Sequence, residues 1–269
     1  MHTIPQTWKN WVIQNLMKGV SGDKIASIML DKGFPFEACR GLLGNNLSQD
    51  FSWQWDGRFY QQLSQIELTQ RDKGPVREPS DKVQLYRWPG FLSEAECATL
   101  VRLTDEKVRP SELASPSADK AFRTSKSADL ERRDDPLVEA LNQRIADAMG
   151  LDSAWGEPIQ AQRYQEGEEF KAHTDYFEPG SDEYARHGGR RGQRSWTFMV
   201  YLNHNCEGGE TEFVRLHTAF RPVSGMALIW NNLMSDGGVN PDTLHHARPI
   251  LSGSKYVITK WYRDRPYRP

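Results

Sequence analysis

Cysteine, net charge and long apolar runs are all scarce in this chain of 269 residues. The only three cysteines are Cys39, Cys97 and Cys206, and their odd number and wide spacing argue against a disulfide framework or a zinc knuckle. Because 34 basic and 36 acidic residues leave a net charge of −2, we expect no nucleic-acid partner. No apolar run approaches the ~20 residues of a membrane span, and the first residues lack the layout of a signal peptide. These absences predict a cytoplasmic protein with no membrane partner.

The composition and length favour a globular protein with one large domain and a small appendage. Hydrophobic residues make up 38% of the chain and aromatic residues 11%, which is enough for a substantial core. We predict a small three-helix domain at residues 1–46, a connecting segment and linker at 47–82, and a large domain at 83–269. The linker is predicted from the charged stretch at 71–81, which contains two prolines.

The first 46 residues show the spacing of short amphipathic helices. Trp8, Val12 and Leu16 fall on one face of a helix, and a second apolar face follows Ser21, a candidate N-cap. Two interpretations of this predicted domain stay open. It is either a local packing module with no partner of its own, or a module that docks a substrate or a partner protein.

From residue 83 onward the pattern predicts helices followed by many short strands. Ser93 and Glu96 form a capping box at the start of one helix, and a second helix begins near Pro136 and ends at Gly150. After residue 157, β-rich runs separated by turn residues follow one another closely, which is typical of a sandwich or a jelly roll. These runs are 197–203, 210–214, 219–223, 226–230 and 256–262. We predict an α+β fold with a core at about residues 158–263 flanked by helices.

Three residues in this part of the chain suit a metal site: His173, Asp175 and His245. On a β-strand, residues i and i+2 point to the same face, so His173 and Asp175 can bind one ion together. His245 would complete a face of two histidines and one carboxylate, which leaves the opposite face of an octahedral metal open, as in non-haem iron(II) oxygenases. His246 is the alternative third ligand. Neighbouring residues of a strand point to opposite faces, so only one of the two histidines can serve.

A series of short motifs accompanies these residues in a characteristic order. They are Phe91–Cys97, Arg123–Ser125, Tyr164–Asp175, Tyr201–Asn203, Gly208–Thr211, Pro222–Gly225, Thr243–His245, Gly253–Lys255 and Thr259–Trp261. In these motifs, and in their spacing, the chain resembles the prolyl 4-hydroxylase-type iron(II)/2-oxoglutarate dioxygenases over roughly residues 84–263. The resemblance implies a double-stranded β-helix, which is the jelly roll that the strand pattern favours.

The resemblance also implies a cofactor site. His173, Asp175 and His245 would bind Fe²⁺, because the family spacing places the last ligand ten residues before Lys255. The cosubstrate 2-oxoglutarate would chelate the iron through its 1-carboxylate and 2-oxo oxygens and leave one position for O₂. Lys255 would pair with the other carboxylate, since a charge sealed in a barrel must be paired and hydrogen-bonded.

Further residues take roles only through this resemblance. Tyr164 and Thr211 occupy positions that hydrogen-bond the same carboxylate as the lysine. Arg194 and Trp261 match positions that line the peptide-binding side, where an arginine can hold a backbone carbonyl and an aromatic plane suits a proline ring. The pair Gly208-Gly209 is predicted to form a tight turn that needs positive φ. Members of the family often require ascorbate as a reductant, so we expect it as an additional factor.

The chain also departs from the family in places that concern the substrate. Phe170 stands where a tyrosine is common, Tyr256 where a tryptophan is common, and Arg263 where a histidine is common. The segment at 178–194 is long, polar and basic, and it follows the H-x-D pair directly, so a lid is one interpretation of it. A peptidyl proline therefore cannot be assumed as the substrate.

Three hypotheses follow from these patterns. The leading one is prolyl 4-hydroxylation of a peptide or protein, with succinate and CO₂ as co-products. The second keeps the cofactors and changes the substrate to a free amino acid, a small metabolite or an alkylated base, although Lys255 argues against the nucleic-acid demethylases, which usually anchor the cosubstrate with arginine. The third is a catalytically silent peptide-binding module, which the complete set of ligands disfavours.

Overall fold

The computed structural model describes residues 4–32, 34, 36–49, 51, 62–68, 73–111, 122–130, 135–181, 183–188 and 192–263. Its N-terminal helices are α1 (Gln6–Met17), α2 (Gly22–Asp31) and α3 (Phe36–Leu43). The Ser21 hydroxyl accepts a hydrogen bond from the backbone N–H of Lys24, which confirms the predicted N-cap of α2. The apolar faces of these helices form a core of their own.

Two further helices, α4 (Glu94–Lys107) and α5 (Pro136–Met149), cover one face of a large sheet. The predicted capping box starts α4, because the Ser93 hydroxyl accepts from the Glu96 N–H and the Glu96 carboxylate accepts from the Ser93 N–H. Gly150 ends α5 in the left-handed conformation, with φ of 63°, as the sequence predicted. Local sequence signals thus place the start of α4 and the end of α5.

The strands form two antiparallel sheets whose facing side chains share a core. The strands are β1 (Val76–Arg77), β2 (Leu85–Trp88), β3 (Arg109–Pro110), β4 (Lys126–Leu130), β5 (Ile159–Gln165), β6 (Phe170–His173), β7 (Arg194–Tyr201), β8 (Cys206–Gly208), β9 (Thr211–Phe213), β10 (Thr218–Phe220), β11 (Ala227–Asn231), β12 (His245–Ala247) and β13 (Ile250–Arg263). The larger sheet has the order β1-β2-β11-β7-β13-β5-β4-β3, with β8 paired to the start of β13, and the smaller sheet has the order β10-β9-β12-β6. This arrangement confirms the predicted jelly roll.

The long strand β13 contributes alternate side chains to the two layers of the fold. Val257 packs into the core between the sheets, whereas Ile258 and Tyr262 pack into the core beneath α4 and α5. This alternation follows from the pleat of a strand that is buried on both faces. It directs one set of β13 residues toward the interior of the jelly roll, where the candidate site lies.

The segment at 62–68 packs onto the larger sheet although it precedes the predicted start of the large domain. Leu63 and Leu68 are buried. The indole N–H of Trp196 donates to the carbonyl of Leu63 at 2.9 Å, and the Asn231 side-chain amide donates to the carbonyl of Ser64 at 2.9 Å. The domain boundaries at 46/47 and 82/83 stay predictions, and residues 71 and 72 of the predicted linker lie outside the described residues.

Helix length bears on the predicted lack of a membrane partner. Among the described residues, no helix is long and apolar enough to cross a bilayer. The cytoplasmic location and a docking role of the N-terminal helices stay predictions.

Removal of residues 1–82 is expected to destabilise the jelly roll, whereas removal of residues 1–51 leaves its melting temperature nearly unchanged. The longer deletion takes Leu63 and Leu68 out of the core, leaves the buried indole N–H of Trp196 without its acceptor and removes one of the two acceptors of the Asn231 amide. We expect its melting temperature to fall by about 10 °C or more. Scanning calorimetry of the two shortened chains measures this difference, and equal melting temperatures would support a domain that starts at residue 83.

Candidate metal and cosubstrate site

Two strands of the smaller sheet bring together the three residues predicted to bind a metal. His173 ends β6 and His245 begins β12, and these residues are directly opposite each other in the antiparallel pairing. Asp175 follows β6 by two residues. Its Oδ1 lies 4.0 Å from Nε2 of His173, and its Oδ2 lies 4.0 Å from Nε2 of His245. One potential ligand atom from each of the three residues lies within 4.8 Å of the other two, which is close enough for them to share one ion.

Backbone carbonyls fix the orientation of both histidine rings. Nδ1 of His173 lies 2.7 Å from the Lys171 carbonyl, and Nδ1 of His245 lies 2.9 Å from the Thr243 carbonyl. Since a carbonyl only accepts, each Nδ1 carries the hydrogen, and the lone pair of each Nε2 is directed to the shared site. Burial, together with the neighbouring His245, holds the pKa of His173 well below its ordinary value, so this ring is neutral and able to bind a metal.

Asp175 is held by a chain of hydrogen bonds that the sequence did not reveal. The Thr197 hydroxyl donates to Oδ2 of Asp175 at 2.7 Å and accepts from the Asn232 amide at 2.9 Å. Burial alone would raise the pKa of Asp175, but the two histidines, Arg194 and the Thr197 hydrogen bond lower it below its ordinary value. The carboxylate is therefore ionised in the buried site. Thr197 could have been found from the alternation along β7, whereas Asn232 lies beyond the end of a strand and shows no such signal.

His246 takes no part in this cluster. Its Nε2 lies 2.8 Å from a carboxylate oxygen of Glu169, and its neighbour His245 faces His173. The structure therefore brings together the histidine that the family spacing indicated and separates the alternative. The assignment of His245 as the ligand itself stays a proposal.

The ring of His173 is covered by an aromatic and cationic stack. Phe170 lies against it with a centroid distance of 3.5 Å and an interplanar angle of 14°. The Arg123 guanidinium lies 4.7 Å from the Phe170 ring centroid and donates to the Gln160 side chain at 2.9 Å. Phenylalanine, in the place where the family commonly has tyrosine, thus packs on a candidate ligand without adding a hydroxyl.

Lys255 lies in the same cavity as the triad and is almost completely buried. Its Nζ donates to the carbonyl of Gly209 at 2.8 Å and lies 4.4 Å from the Tyr164 ring centroid. Burial lowers the pKa of Lys255 to about 8, although the nearby Cys206 and Glu210 act in the opposite direction. The cavity is lined by Gln162, Tyr164, Phe170, His173, Asp175, Met199, Thr211, Trp230, His245, Ala247, Lys255, Val257, Thr259 and Trp261.

Tyr164 and Thr211 also line this cavity, in hydrogen bonds that define what each can offer a ligand. The Tyr164 hydroxyl donates to Oε1 of Gln162 at 2.7 Å, so its proton is engaged within the protein. The Thr211 hydroxyl accepts from the Tyr201 hydroxyl at 2.7 Å, which leaves its own proton for a ligand oxygen. Gln162 and Tyr201 were not predicted as site residues, although both face inward by the alternation of β5 and β7.

Gly208 and Gly209 form the predicted turn and also support Lys255. Their φ angles are 75° and 69°, in the left-handed region that favours glycine. A Cβ atom on Gly209 would lie 2.4 Å from the side chain of Ile250 and 3.3 Å from that of Lys255. Glycine at this position therefore lets the chain approach the lysine closely enough for its carbonyl to accept the ammonium hydrogen bond.

Arg194 and Trp261, the predicted substrate contacts, are stacked on each other. The guanidinium of Arg194 lies 3.9 Å from the Trp261 ring centroid. It also makes a two-pronged ion pair with Glu157, with N–O distances of 2.7 and 2.8 Å. Burial opposes ionisation of Glu157, but Arg194 and Arg263 lower the pKa of this carboxyl to about 2. Trp261 lines the cavity, whereas Arg194 forms a supporting layer that Glu157 holds in place.

Arg263, which replaces a histidine common in the family, links this layer to the segment at 178–194. It donates to the Glu157 carboxylate and to the carbonyls of His187 and Gly192. Gln193 further ties the segment by donating to and accepting from the backbone of Phe177. The described parts of this segment are thus anchored at its base, and the lid interpretation stays a prediction.

The arrangement fits iron(II) and 2-oxoglutarate. Two imidazole nitrogens and one ionised carboxylate form the donor set for iron(II), and the remaining positions would be available to small oxygen ligands. In the same cavity the buried Lys255 ammonium donates to a neutral carbonyl, so a dicarboxylate could supply the negative charge that would balance it.

Comparison with known proteins places this site in a family. A family model described as the 2OG-Fe(II) oxygenase superfamily matches residues 159–263. Prolyl 4-hydroxylase subunit alpha-1 of Mus musculus is 31% identical over 189 residues, which cover 69% of this chain and 35% of the mouse protein. Probable prolyl 4-hydroxylase 4 of Arabidopsis thaliana is 30% identical over 211 residues, which cover 69% of each protein. This chain belongs to the 2OG-Fe(II) oxygenase superfamily.

Membership in this superfamily brings iron(II) as the cofactor and 2-oxoglutarate as the cosubstrate, as the residues predicted. The match with the mouse subunit spans about a third of that protein's length. A viral collagen prolyl hydroxylase of Paramecium bursaria Chlorella virus-1, solved with 2-oxoglutarate, shares the fold at a TM-score of 0.53 and 23% identity, covering 66% of this chain and 94% of the viral one. A prolyl hydroxylase of Trichoplax adhaerens shares the fold at a TM-score of 0.53 and 17% identity, covering 79% of this chain and 94% of the Trichoplax chain.

Replacement of His245 by Ala is expected to abolish metal-induced stabilisation, whereas replacement of His246 by Ala preserves it. Of the two neighbouring histidines, only His245 directs a nitrogen lone pair to the Asp175 cluster. A metal that binds only the folded protein raises the melting temperature of that protein. The measurement is the melting temperature with and without excess Zn²⁺, a redox-inert stand-in for iron(II). A metal shift retained in the His245 variant and lost in the His246 variant would reverse the assignment.

Proposed function

We propose that this chain is a prolyl 4-hydroxylase that acts on a peptide or protein and uses iron(II), 2-oxoglutarate and O₂. The observation that carries this proposal is the shared cavity of the His173, Asp175 and His245 triad and the buried Lys255. The prolyl 4-hydroxylases among the relatives support the choice of reaction.

The proposed reaction converts a substrate C–H, 2-oxoglutarate and O₂ into the alcohol, succinate and CO₂. When bound, iron(II) supplies the redox chemistry that couples loss of CO₂ to insertion of one oxygen atom into the C–H bond, while the other oxygen atom enters succinate. His173, Asp175 and His245 would hold the metal, with Thr197 orienting the carboxylate. The hydrogen bonds from Nδ1–H of each histidine to a backbone carbonyl keep both rings in the metal-binding tautomer.

Lys255 would set the far end of the cosubstrate position. Its ammonium would pair with the carboxylate that does not approach the metal, and the Thr211 hydroxyl would donate to the same group. In this structure the Tyr164 hydroxyl donates to Gln162, and rotation of its proton toward the same carboxylate would complete the predicted contact. The closed walls of the jelly roll exclude water from this position, which strengthens each of these polar contacts.

The substrate side of the cavity would be formed by the Trp261 indole. Its plane is supported by Arg194, and Glu157 and Arg263 in turn hold that arginine. A flat aromatic wall of this kind suits a proline ring. The Trichoplax relative was solved with a peptide fragment of hypoxia inducible factor, which supports a peptide or protein as the class of substrate. Docking of that substrate by the N-terminal helices and rescue of oxidised iron by ascorbate are further parts of the proposal.

The affinity of the metal-loaded protein for 2-oxoglutarate is expected to fall as the pH rises above about 8. Burial lowers the pKa of free Lys255 to about 8, and only its protonated form pairs with a carboxylate. Each further pH unit should weaken binding by up to about tenfold, until the pH reaches the pKa that Lys255 has with 2-oxoglutarate bound. Calorimetric titration of the Zn²⁺-loaded protein at several pH values between about 6.5 and about 9.5 measures this dependence, because that range brackets the pKa of Lys255.

The matched control for this titration is Lys255→Arg, which keeps its charge throughout the range. Hydroxide competes for the metal equally in both proteins, so the ratio of their affinities isolates the lysine. A constant ratio across the range would contradict the assignment of Lys255 as the cosubstrate cation.

The test of the function is succinate formation by the full chain with Fe²⁺, 2-oxoglutarate, ascorbate and a panel of proline-rich peptides. We expect a peptide to stimulate succinate release and to gain one oxygen atom, as seen by mass spectrometry. Both signals should vanish in His173→Ala and fall steeply in Lys255→Ala.

Other outcomes of this assay would redirect the assignment. Succinate release that no peptide stimulates would favour a free amino acid or a small metabolite as the substrate. Metal binding without any turnover would favour a catalytically silent peptide-binding module, and succinate release that does not need Fe²⁺ would refute the proposal.

A further inference from the structure

The indole N–H of Trp230 is a buried donor that has no partner among the described residues. Only 1% of this residue is exposed, and its Nε1 has no hydrogen-bond acceptor in the part of the chain that the structure describes. A buried polar hydrogen left unpaired is costly, and such groups in folded proteins are usually matched by a ligand or a water molecule. Trp230 also lines the cavity that contains the metal triad and Lys255.

The contacts of Trp230 place it at the metal end of this cavity. Its ring lies edge-to-face against His245, with a centroid distance of 5.0 Å, and against Phe213 at 5.3 Å. On the neighbouring strand its partner in register is Thr197, which holds Asp175. Lys255, by contrast, contacts Gly209 and Tyr164.

The polar groups of His245 and Thr197, which contact Trp230 or pair with it in register, already have partners. Nδ1 of His245 donates to the Thr243 carbonyl, and its Nε2 is directed to Asp175. The Thr197 hydroxyl donates to Asp175 and accepts from Asn232, whose own Oδ1 is a buried acceptor without a partner among the described residues. His245 and Thr197 therefore offer no free acceptor to the indole, and a molecule in the cavity can supply one.

We propose that the Trp230 indole N–H donates a hydrogen bond to an oxygen of the 2-oxo acid at its metal-binding end, the 1-carboxylate or the 2-oxo group. This inference rests on the proposed function and assigns a cosubstrate contact to a residue outside the predicted set. Trp230 then recognises the end of the cosubstrate that approaches the metal, and Lys255 recognises the opposite carboxylate. The tryptophan contributes a neutral, directional donor, whereas the lysine contributes charge.

A crossed binding experiment on the full, Zn²⁺-loaded chain tests this division. Two ligands are titrated by calorimetry: 2-oxoglutarate, which has both ends, and oxalate, which has the chelating end and lacks the distal carboxylate. Trp230→Phe keeps an aromatic ring and removes the donor, so the affinity for both ligands should fall by about three- to tenfold. Lys255→Met should lower the affinity for 2-oxoglutarate and leave the affinity for oxalate unchanged.

The matched control is Trp88→Phe, which makes the same chemical change outside the cavity. The indole N–H of Trp88 donates to the Lys73 carbonyl at 2.8 Å, and Trp88 does not line the cavity. This variant should bind oxalate and 2-oxoglutarate as the parent chain does. Equal affinities of Trp230→Phe and the parent chain for both ligands would overturn the proposal.

A measurement on the unaltered chain removes any dependence on how well the variants fold. With the nine tryptophans labelled by ¹⁵N, the Trp230 indole resonance is identified by its nuclear Overhauser contacts to Phe213 and His245. The proton of this resonance should shift downfield on addition of either ligand. Binding that leaves the resonance in place would overturn the contact alone, whereas absence of binding by the unaltered Zn²⁺-loaded chain would overturn the proposed function with it.

Discussion

The register between β6 and β12 is the constraint on which the candidate metal site depends. It sets His173 directly opposite His245, and β12 is held on its other side by β9, where His245 pairs with Phe213. A shift of one residue would turn His245 away and bring His246 to the interior, because neighbouring side chains of a strand alternate between faces. The contact of His246 Nε2 with the Glu169 carboxylate forms in the observed register, so it stabilises the pairing that assembles the triad.

The second constraint is the length of β13. Lys255 and Trp261 both face the cavity from this one strand, six residues and about 20 Å of extended chain apart. A single rigid element therefore fixes the separation between the cation proposed for the cosubstrate and the aromatic wall proposed for the substrate. Side chains on the other face of β13 pack against α4 and α5, and this packing holds the strand in place.

Much of this arrangement could be predicted from short-range sequence signals. The His173 and Asp175 pair, the capping box at Ser93 and the strand pattern each follow from a local periodicity. The contacts that could not be predicted are long-range: Asn232 reaches Thr197 across neighbouring strands, and the segment at 62–68 pairs with residues more than 130 positions away. Trp230 was missed for a different reason, since an indole without a hydrogen-bond partner looks the same in sequence as one that is satisfied.

Arg263 makes the charge beside the Trp261 wall of the cavity independent of pH. Where a histidine would gain and lose its charge near neutrality, an arginine stays charged, and Glu157 beside it has a pKa of about 2. The Glu157, Arg194 and Arg263 group therefore keeps one net positive charge over the whole physiological range. Electrostatic discrimination among substrates at this wall is then insensitive to pH, so a charged group near the target residue would meet the same field in an acidic or an alkaline compartment.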